Sequence, residues 1–399
     1  METKKSIAII GGGAAALMFA CNIDTRKYNV TIYERNNTVG RKLLVAGNGG
    51  FNLTHSEDIE QFVLRYSPSM FLEKPIHSFT SKDLQQWLKG IGINTYVGTS
   101  KRIFPIKGIK PIEVLDAILN VLRQKNVNIK TQHLWSGWNM KKELCFIKQK
   151  EIVNIKADIT VFALGGSSWK ITGSDGSWAP YFEEAGIKTL PFQASNCAVK
   201  INWGKEFINR VEGKVIKNIS IKIDGKEKKG ELVITKFGLE GGAIYSLIEP
   251  IRMQLDEFER AKVFVDLKPE LTTTEIKNKI ENRGNKSLQK VLENSLKFND
   301  SKILLLKTIL TKEEYTNAVI LSRMIKSLPM QITSLAPIDE AISTVGGIAR
   351  DEVDENFQLK KMPDNFCIGE MLDWDAPTGG YLLQACFSMG YCLSKKLNQ

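Results

Sequence analysis

Read for its apolar and polar positions, the chain opens on a short β-branched run, residues 6–10, that stops at three glycines. Such a run predicts a strand buried on both faces, as in a parallel sheet. A helix is predicted over residues 14–24 and a second strand over 29–33. Residues 81–91 and 112–125 repeat with the period of half-buried helices, the second after Pro111. Strands are predicted at 127–130, 144–147 and 158–164, the last again an apolar run that enters glycines.

From about residue 190 the texture changes. Residues 218–223 and 231–235 alternate around Asp224-Gly225, a hairpin signal, and 262–267 adds a strand, so an antiparallel region is expected. Residues 272–328 are helical and strand-free in pattern, with Thr273 as an N-cap and the apolar stretch 302–310 facing inward. The first texture then returns. Residues 341–345 enter Gly346-Gly347, and 366–368 enter Gly369-Glu370. Residues 377–390 open on glycines and become a helix with Leu382, Ala385, Cys386 and Met389 on one face.

The glycines give the first chemistry. Gly11, Gly13 and Ala16 fall on the G-x-G-x-x-G/A spacing between a strand and a helix. The first permits a tight turn, the second lets backbone approach a pyrophosphate, and the small third lets the helix pack on its strand. Unpaired N–H groups at the helix start suit phosphate. Glu34 ends the second strand, where an acid accepts hydrogen bonds from an unphosphorylated ribose. Residues 38–55 hold four glycines with Arg41 and Lys42, which can neutralise phosphate. Gly165 and Gly166, then Asp175 in a glycine-punctuated turn, are expected at the same carboxyl edge of the sheet. Near the C-terminus Glu370 can hold a polyol hydroxyl, and a helix starting near Thr378 can face developing negative charge.

Composition narrows the class. Apolar content is 43% and mean hydropathy −0.17, with no run of the ~20 apolar residues a membrane span needs. Lys4 and Lys5 before an apolar run imitate a signal peptide, but cleavage there would discard the phosphate loop. Six cysteines without a C-x-x-C pair read as buried thiols in a reducing cytoplasm, and three scattered histidines make a metal site unexpected. The net charge of +11 leaves two readings open: RNA or an acidic partner, or lysines spread over solvated faces. Residues 214–229, with six lysines against two acids, fit the second as a solvated hairpin.

Five segments together resemble a bacterial family of NAD(P)/FAD-dependent oxidoreductases, the BaiN-like or aminoacetone oxidase-like flavoproteins. They are GGGAAAL, VGRKLLVAGNGGFNLTH, ALGGSSW, STVGGI and GEMLDWDAPTGGYLLQA, and the resemblance spans nearly the whole chain. The APTGGYLL, GSDGSW and GLEGGAIY versions are similar to an uncharacterised subgroup. The resemblance implies an α/β fold: a doubly wound, Rossmann-type FAD domain from residues 1–190 and 341–399. Inserted in it are a β-rich, barrel-like subdomain (191–270 and 328–340) and a helical cap (271–327). It implies FAD held by four groups of residues. The first is Gly11, Gly13, Ala14, Ala15, Ala16, Glu34 and Arg35. The second is Gly40, Arg41, Lys42, Gly47, Asn48, Gly49, Asn52, Leu53 and Thr54. The others are Ala163, Gly165 and Gly166, then Gly369, Glu370 at the ribityl position, Thr378, Gly379, Gly380 and Tyr381.

Relatives carry Arg-Cys-Asn where this chain has Gly50-Phe51-Asn52, which removes a thiol and a cation from that loop. Members of the family are linked to amine oxidation, to reduction of steroid-like enones and to reduction of uridine in ribosomal RNA. The expectation is therefore an FAD-dependent oxidoreductase of a small molecule. No second dinucleotide motif follows another strand, so NAD(P)H would dock transiently, or dioxygen would be the other partner. The alternatives are an RNA-modifying flavoenzyme and a non-catalytic flavin-binding regulator. Asp373 and Asp175 are the expected proton donors, and Trp374 or Tyr381 the expected wall of a substrate pocket. A bulky residue at Gly380 is expected to tilt the flavin rather than unfold the protein.

Overall fold

The first strand, β1 (Lys5–Ile10), lies in the middle of a five-stranded parallel sheet. The order is Asn365–Cys367, Ile159–Phe162, β1, β2 (Tyr28–Tyr33) and Asn128–Lys130. Ile7, Ala8, Ile9 and Ile10 are all buried, as an uninterrupted apolar strand requires. Register sets the shape of the sheet's edge. Ile10 lies opposite both Tyr33 and Phe162, so three strands end level. Gly11 N–H donates to the Tyr33 carbonyl (2.8 Å), Ala163 N–H to Ile10 (2.8 Å) and Ile368 N–H to Phe162 (2.9 Å). Gly11, Glu34, Ala163 and Gly369 therefore leave the sheet along one carboxyl edge, where open α/β sheets bind ligands.

This computed structural model describes residues 4–45 and 50–399. The chain divides into two units, residues 1–193 with 342–399 and residues 194–341. In the first unit the helix α1 (Ala14–Asn22) is buried from Ala15 to Cys21, which suits a segment apolar on every side. It packs against the C-terminal helix, Tyr381–Asn398. Their approach is close: a Cβ on Gly390 would stand 2.4 Å from the Ala15 carbonyl oxygen. Helices Ile59–Val63 and Ser69–Ser78 lie outside the sequence expectations, the second disguised by Pro75 inside it. So do Leu134–Trp138 and Glu151–Ile155, which flank Leu144–Lys148 in a three-stranded sheet.

The second unit is built on a seven-stranded antiparallel sheet. Its outermost strands, Leu328–Ile332 and Ser334–Leu335, are separated in sequence by Thr333 alone, so the sheet wraps round and closes on itself. Closure removes exposed edges that would otherwise recruit other strands. The expected hairpin turns at Asp224-Gly225, both with positive φ (47° and 74°). Its second strand, however, starts at once, Lys226–Ile234. Lysines on both faces of its first half hide the alternation while leaving the backbone ladder intact. Lys222 and Lys226 there pair with Glu227 and Glu249, as on a solvated ribbon. Five helices fill residues 273–326. The first is capped by Thr272 rather than Thr273: Thr272 Oγ1 accepts from Glu275 N–H, and Glu275 accepts from Thr272 N–H at 2.8 Å. The T-x-x-E spacing that makes a capping box is met only from Thr272.

In the expected inward stretch, Lys302 is buried with Ile303, Leu305 and Leu306. Its ammonium donates to the Leu267 carbonyl at 2.6 Å and lies over the Phe298 ring. Burial, with Lys268 nearby, lowers its pKa from 10.5 to about 8.

This packing is open to two tests. Gly390→Ala should cost ~1–3 kcal/mol, the usual range for overpacking, in a denaturant titration of the whole chain. Between pH 8 and 10.5 the unfolded state holds the Lys302 proton and the folded state does not, so this group makes stability rise with pH across that window. Lys302→Met should flatten that rise in melting temperature measured against pH.

Candidate cofactor site

The site grows from the sheet edge. Gly11 has φ 98°, and a Cβ there would meet the Ala163 carbonyl oxygen at 2.4 Å, so only glycine allows the turn. Gly13 differs. Its φ is −82°, and a Cβ would meet nothing within 4 Å. That side of Gly13 is open space, bordered by the uncapped first turn of α1. The amides of Ala14, Ala15 and Ala16 have no acceptor within the helix. Ala16 itself is buried beneath them.

Glu34 is locked at one end. Its Oε2 accepts from Gly12 N–H (2.9 Å), and its Oε1 accepts from the backbone and side-chain amides of Asn36 (2.8 and 2.7 Å). Around it lies a cavity of about 110 Å³, lined among others by Gly11, Gly13, Glu34, Arg35, Gly40, Arg41, Trp135 and Asp175. A second cavity of about 330 Å³ is lined by Gly13, Ala14, Ala15, Asn52, Gly369, Glu370, Trp374, Thr378, Gly379 and Gly380, with Ile342, Leu382 and Leu383. Lys42, Gly13, Ala163 and Gly165 line both, so the two form one trough that runs past the start of α1.

Lys42 sits at its middle, in the short helix α2 (Arg41–Val45). Its ammonium is 2.8 Å from Glu370 Oε2 and 2.9 Å from Ser168 Oγ. Arg41 turns aside to donate to the Ile171 carbonyl (2.8 Å). Arg35 pairs with Asp175 at 2.8 Å. Burial pushes the Asp175 carboxyl up, but bonds from the Ser177 hydroxyl and amide and from Arg35 outweigh it, so its pKa falls below the ordinary value. An acid so held is a poor proton donor, and it lines the Glu34 end of the trough, away from Thr378–Gly380.

The expected donor at Asp373 is also placed elsewhere. Its carboxylate pairs with Arg350 and accepts from Gly346 N–H, and it lines neither part of the trough. Trp374 does line it, with its indole N–H spent on the Gly369 carbonyl at 2.9 Å. Tyr381 turns away: its hydroxyl donates to Glu57 and its ring stacks on His55. Leu53 and Thr54 are buried beside the trough, and Gly166 has no room for a Cβ because Thr344 Oγ1 would lie 2.2 Å away. Gly47, Asn48 and Gly49 lie outside the described residues. Phe51, where the resemblance expects a cysteine, is buried in the core.

Gly380 departs from its expected role. A Cβ there would stand 2.5 Å from Thr54 Cα, and its φ is 101°, so a bulky residue would break backbone packing before it tilted any ligand. His133 and Trp135 line the Glu34 end although no sequence motif marks them. The strand Leu134–Trp138 alternates in burial, with Trp135 and Gly137 inside, but Ser136 and Gly137 break the alternation in the sequence. Trp135 is 4% exposed and its indole N–H has no partner, an orphaned donor at the cavity wall.

At the other end Cys386 is no nucleophile, because desolvation and then the Glu370 carboxylate push its thiol up to about 12. Among the described residues no group of three or more His, Cys, Asp or Glu is arranged for a metal. No described helix is long and apolar enough to cross a membrane. The trough does fit FAD. It offers an acid, Glu34, at one end, open glycine and unbonded helix amides between, and Glu370 beside a roomier, mostly apolar end.

The chain matches the family of the HI0933-like protein Rossmann domain over residues 5–396. It is 24% identical over 401 residues to the 3-dehydro-bile acid delta(4,6)-reductase of Clostridium scindens, covering 96% of this chain and 97% of that one. It is 21% identical over 399 residues to the ribosomal RNA dihydrouridine synthase of Escherichia coli, covering 98% and 97%. Among solved structures it resembles the 3-ketosteroid delta1-dehydrogenase of Sterolibacterium denitrificans with a TM-score of 0.49 and 10% identity, over 99% of this chain and 100% of that one.

The open side of Gly13 gives a clean test. Gly13→Val should fold with little change in melting temperature, since its φ suits any residue and its side chain meets no protein atom. FAD affinity should fall at least about tenfold, ~1.4 kcal/mol, in a fluorescence titration of the FAD-free protein.

Proposed function

We propose that this chain, which belongs to the HI0933-like Rossmann family and is an FAD-dependent oxidoreductase, works as a reductase of a small molecule with NAD(P)H as donor. The observation that carries the reading is the single trough from Glu34 to Gly380, open at Gly13 and shared at Lys42. The reductive direction is supported by the bile acid reductase, which this chain matches over nearly its whole length. Overall, NAD(P)H, a proton and an unsaturated substrate would give NAD(P)⁺ and the substrate carrying two more hydrogens.

FAD bound in the trough supplies the two-electron redox chemistry. The protein's own residues bind and tune. Glu34 takes the ribose hydroxyls and so favours an unphosphorylated adenosine. The α1 amides and Lys42 balance pyrophosphate charge. Glu370 accepts from the ribityl hydroxyls and, through Lys42, couples the two halves of the trough. Trp374 braces the Gly369-Glu370 turn from inside. Neither Asp373 nor Asp175 is free to deliver a proton, so substrate protonation would come from solvent or from the substrate's own site.

Purified protein should be yellow and release FAD on denaturation. Mixed anaerobically with NADH or NADPH, its flavin absorbance should bleach and stay bleached until an acceptor is added. Absence of FAD would overturn the reading. So would a flavin that ignores both nicotinamides and is bleached instead by amines.

A further inference from the structure

Behind the roomier end of the trough lies a polar cluster whose members line neither cavity. Tyr381 is its centre, at the first position of the C-terminal helix. Its ring stacks on His55 (centroids 5.3 Å apart, 27° between planes) and packs on Phe62 at 4.8 Å. Its hydroxyl donates to Glu57 Oε1, and its backbone carbonyl accepts from the Tyr66 hydroxyl at 2.9 Å. Arg65 grips the same carboxylate, Nη2 to Oε2 at 2.7 Å and Nε to Oε1 at 3.1 Å. Glu57 N–H donates to His55 Nδ1 at 3.2 Å.

Placing a carboxylate there is costly. The Glu57 side chain is only 9% exposed, and an unpaired charge at such a depth would not persist. Burial pushes its pKa up, but the bonds from Arg65 and Tyr381 more than reverse this. Burial and the adjacent carboxylate push the Tyr381 phenol up, so it stays a donor.

The two residues before Tyr381 explain what such a cluster is for. Gly379 and Gly380 have φ of 119° and 101°, backbone with little preference of its own, and both line the trough. The helix beyond them has first-turn amides without intrahelical acceptors. Glycine freedom would let that helix start wander. Tyr381 is gripped by its ring, hydroxyl and carbonyl at once, and Gly380 is pressed on Thr54, one residue before His55.

We propose that Glu57 and Tyr381 are a positioning pair: the carboxylate fixes the tyrosine, and the tyrosine fixes how far the first-turn amides stand from the ring system of the bound cofactor. The inference rests on the proposed FAD-dependent function. Donors held at a set distance favour the more negative, reduced form of the ring. Loosening the pair should therefore lower the reduction potential while leaving the fold intact.

Tyr381→Phe keeps the ring and removes the hydroxyl. Glu57→Gln keeps an oxygen that can still accept from it. Each FAD-loaded protein is equilibrated with a reference dye to measure the two-electron potential, and the FAD-free proteins are melted. Tyr381→Phe should favour reduced over oxidised FAD about tenfold less, a potential ~30 mV lower, in a protein that still melts cooperatively, at a somewhat lower temperature because Glu57 loses a partner. Glu57→Gln should stay close to wild type. An unshifted potential in Tyr381→Phe overturns the inference, as does a Tyr381→Phe protein that no longer folds, which would make the pair a fold element only. An equal shift in Glu57→Gln also overturns it, since charge rather than placement would then set the potential. A wild-type protein without FAD overturns the reading of the trough, and the inference with it.

Discussion

The first unit depends on how closely backbone can approach the start of α1. Three glycines from distant parts of the chain seat it. A side chain on Gly11 would strike the Ala163 carbonyl at 2.4 Å, one on Gly390 the Ala15 carbonyl at 2.4 Å, and one on Gly369 the Ala15 Cβ at 3.1 Å. The last two join the C-terminal helix and the segment after residues 365–367 to one turn of α1, and the first joins the loop that leads into α1 to the end of the strand Ile159–Phe162. The amides that face the trough are therefore fixed by sheet register and helix packing together. No single loop positions them. That is why the two ends of the chain must come together before the site exists at all.

Within that frame, charge is arranged by depth. Glu34, Glu370 and Lys42 face the trough, and each still has a polar partner from the protein. Asp373 and Glu57 are turned away from it and bonded to arginines, Arg350 and Arg65. The first set keeps hydrogen-bonding capacity for a polyol and phosphates. The second set spends its capacity on the protein and stiffens the segments that carry the first. The distinction separates binding from positioning, with Asp175 between the two, since it lines the trough yet is bonded to Arg35.

Much of the frame was legible in the sequence because short-range rules govern it. The run 6–10, the glycines after it and Glu34 at the end of the next strand are local patterns with one structural solution. The capping of residues 273–281 was off by one residue because three threonines in a row blur the box. Less legible were the residues whose role depends on a distant partner. Asp373 lies in a glycine-flanked segment that looks loop-like, and only the fold shows Arg350 opposite it. Gly380 reads as room for a ligand until Thr54 is seen against it. Trp135 belongs to no motif, because any aromatic strand residue could have packed there without reaching the cavity.

Packing also accounts for the departure at residues 50–52. Gly50 and Phe51 stand where the resemblance expects an arginine and a cysteine, and a small residue there could have left a hole beside the trough. Phe51 instead goes into the core, and Asn52 N–H closes a tight turn on the Gly50 carbonyl at 2.8 Å. Leu53 N–H then joins the Ile103 carbonyl at 2.8 Å, which starts the short strand Thr54–His55. That strand is the one pressed on Gly380 and stacked, through His55, on Tyr381. Phe51 is thus used as packing, while Gly50 and Asn52 line the roomier end of the trough. Chemistry that would have needed a thiol or a cation at this loop has to be supplied from elsewhere. The helix start that carries Gly380 and Tyr381 is held in part by this loop.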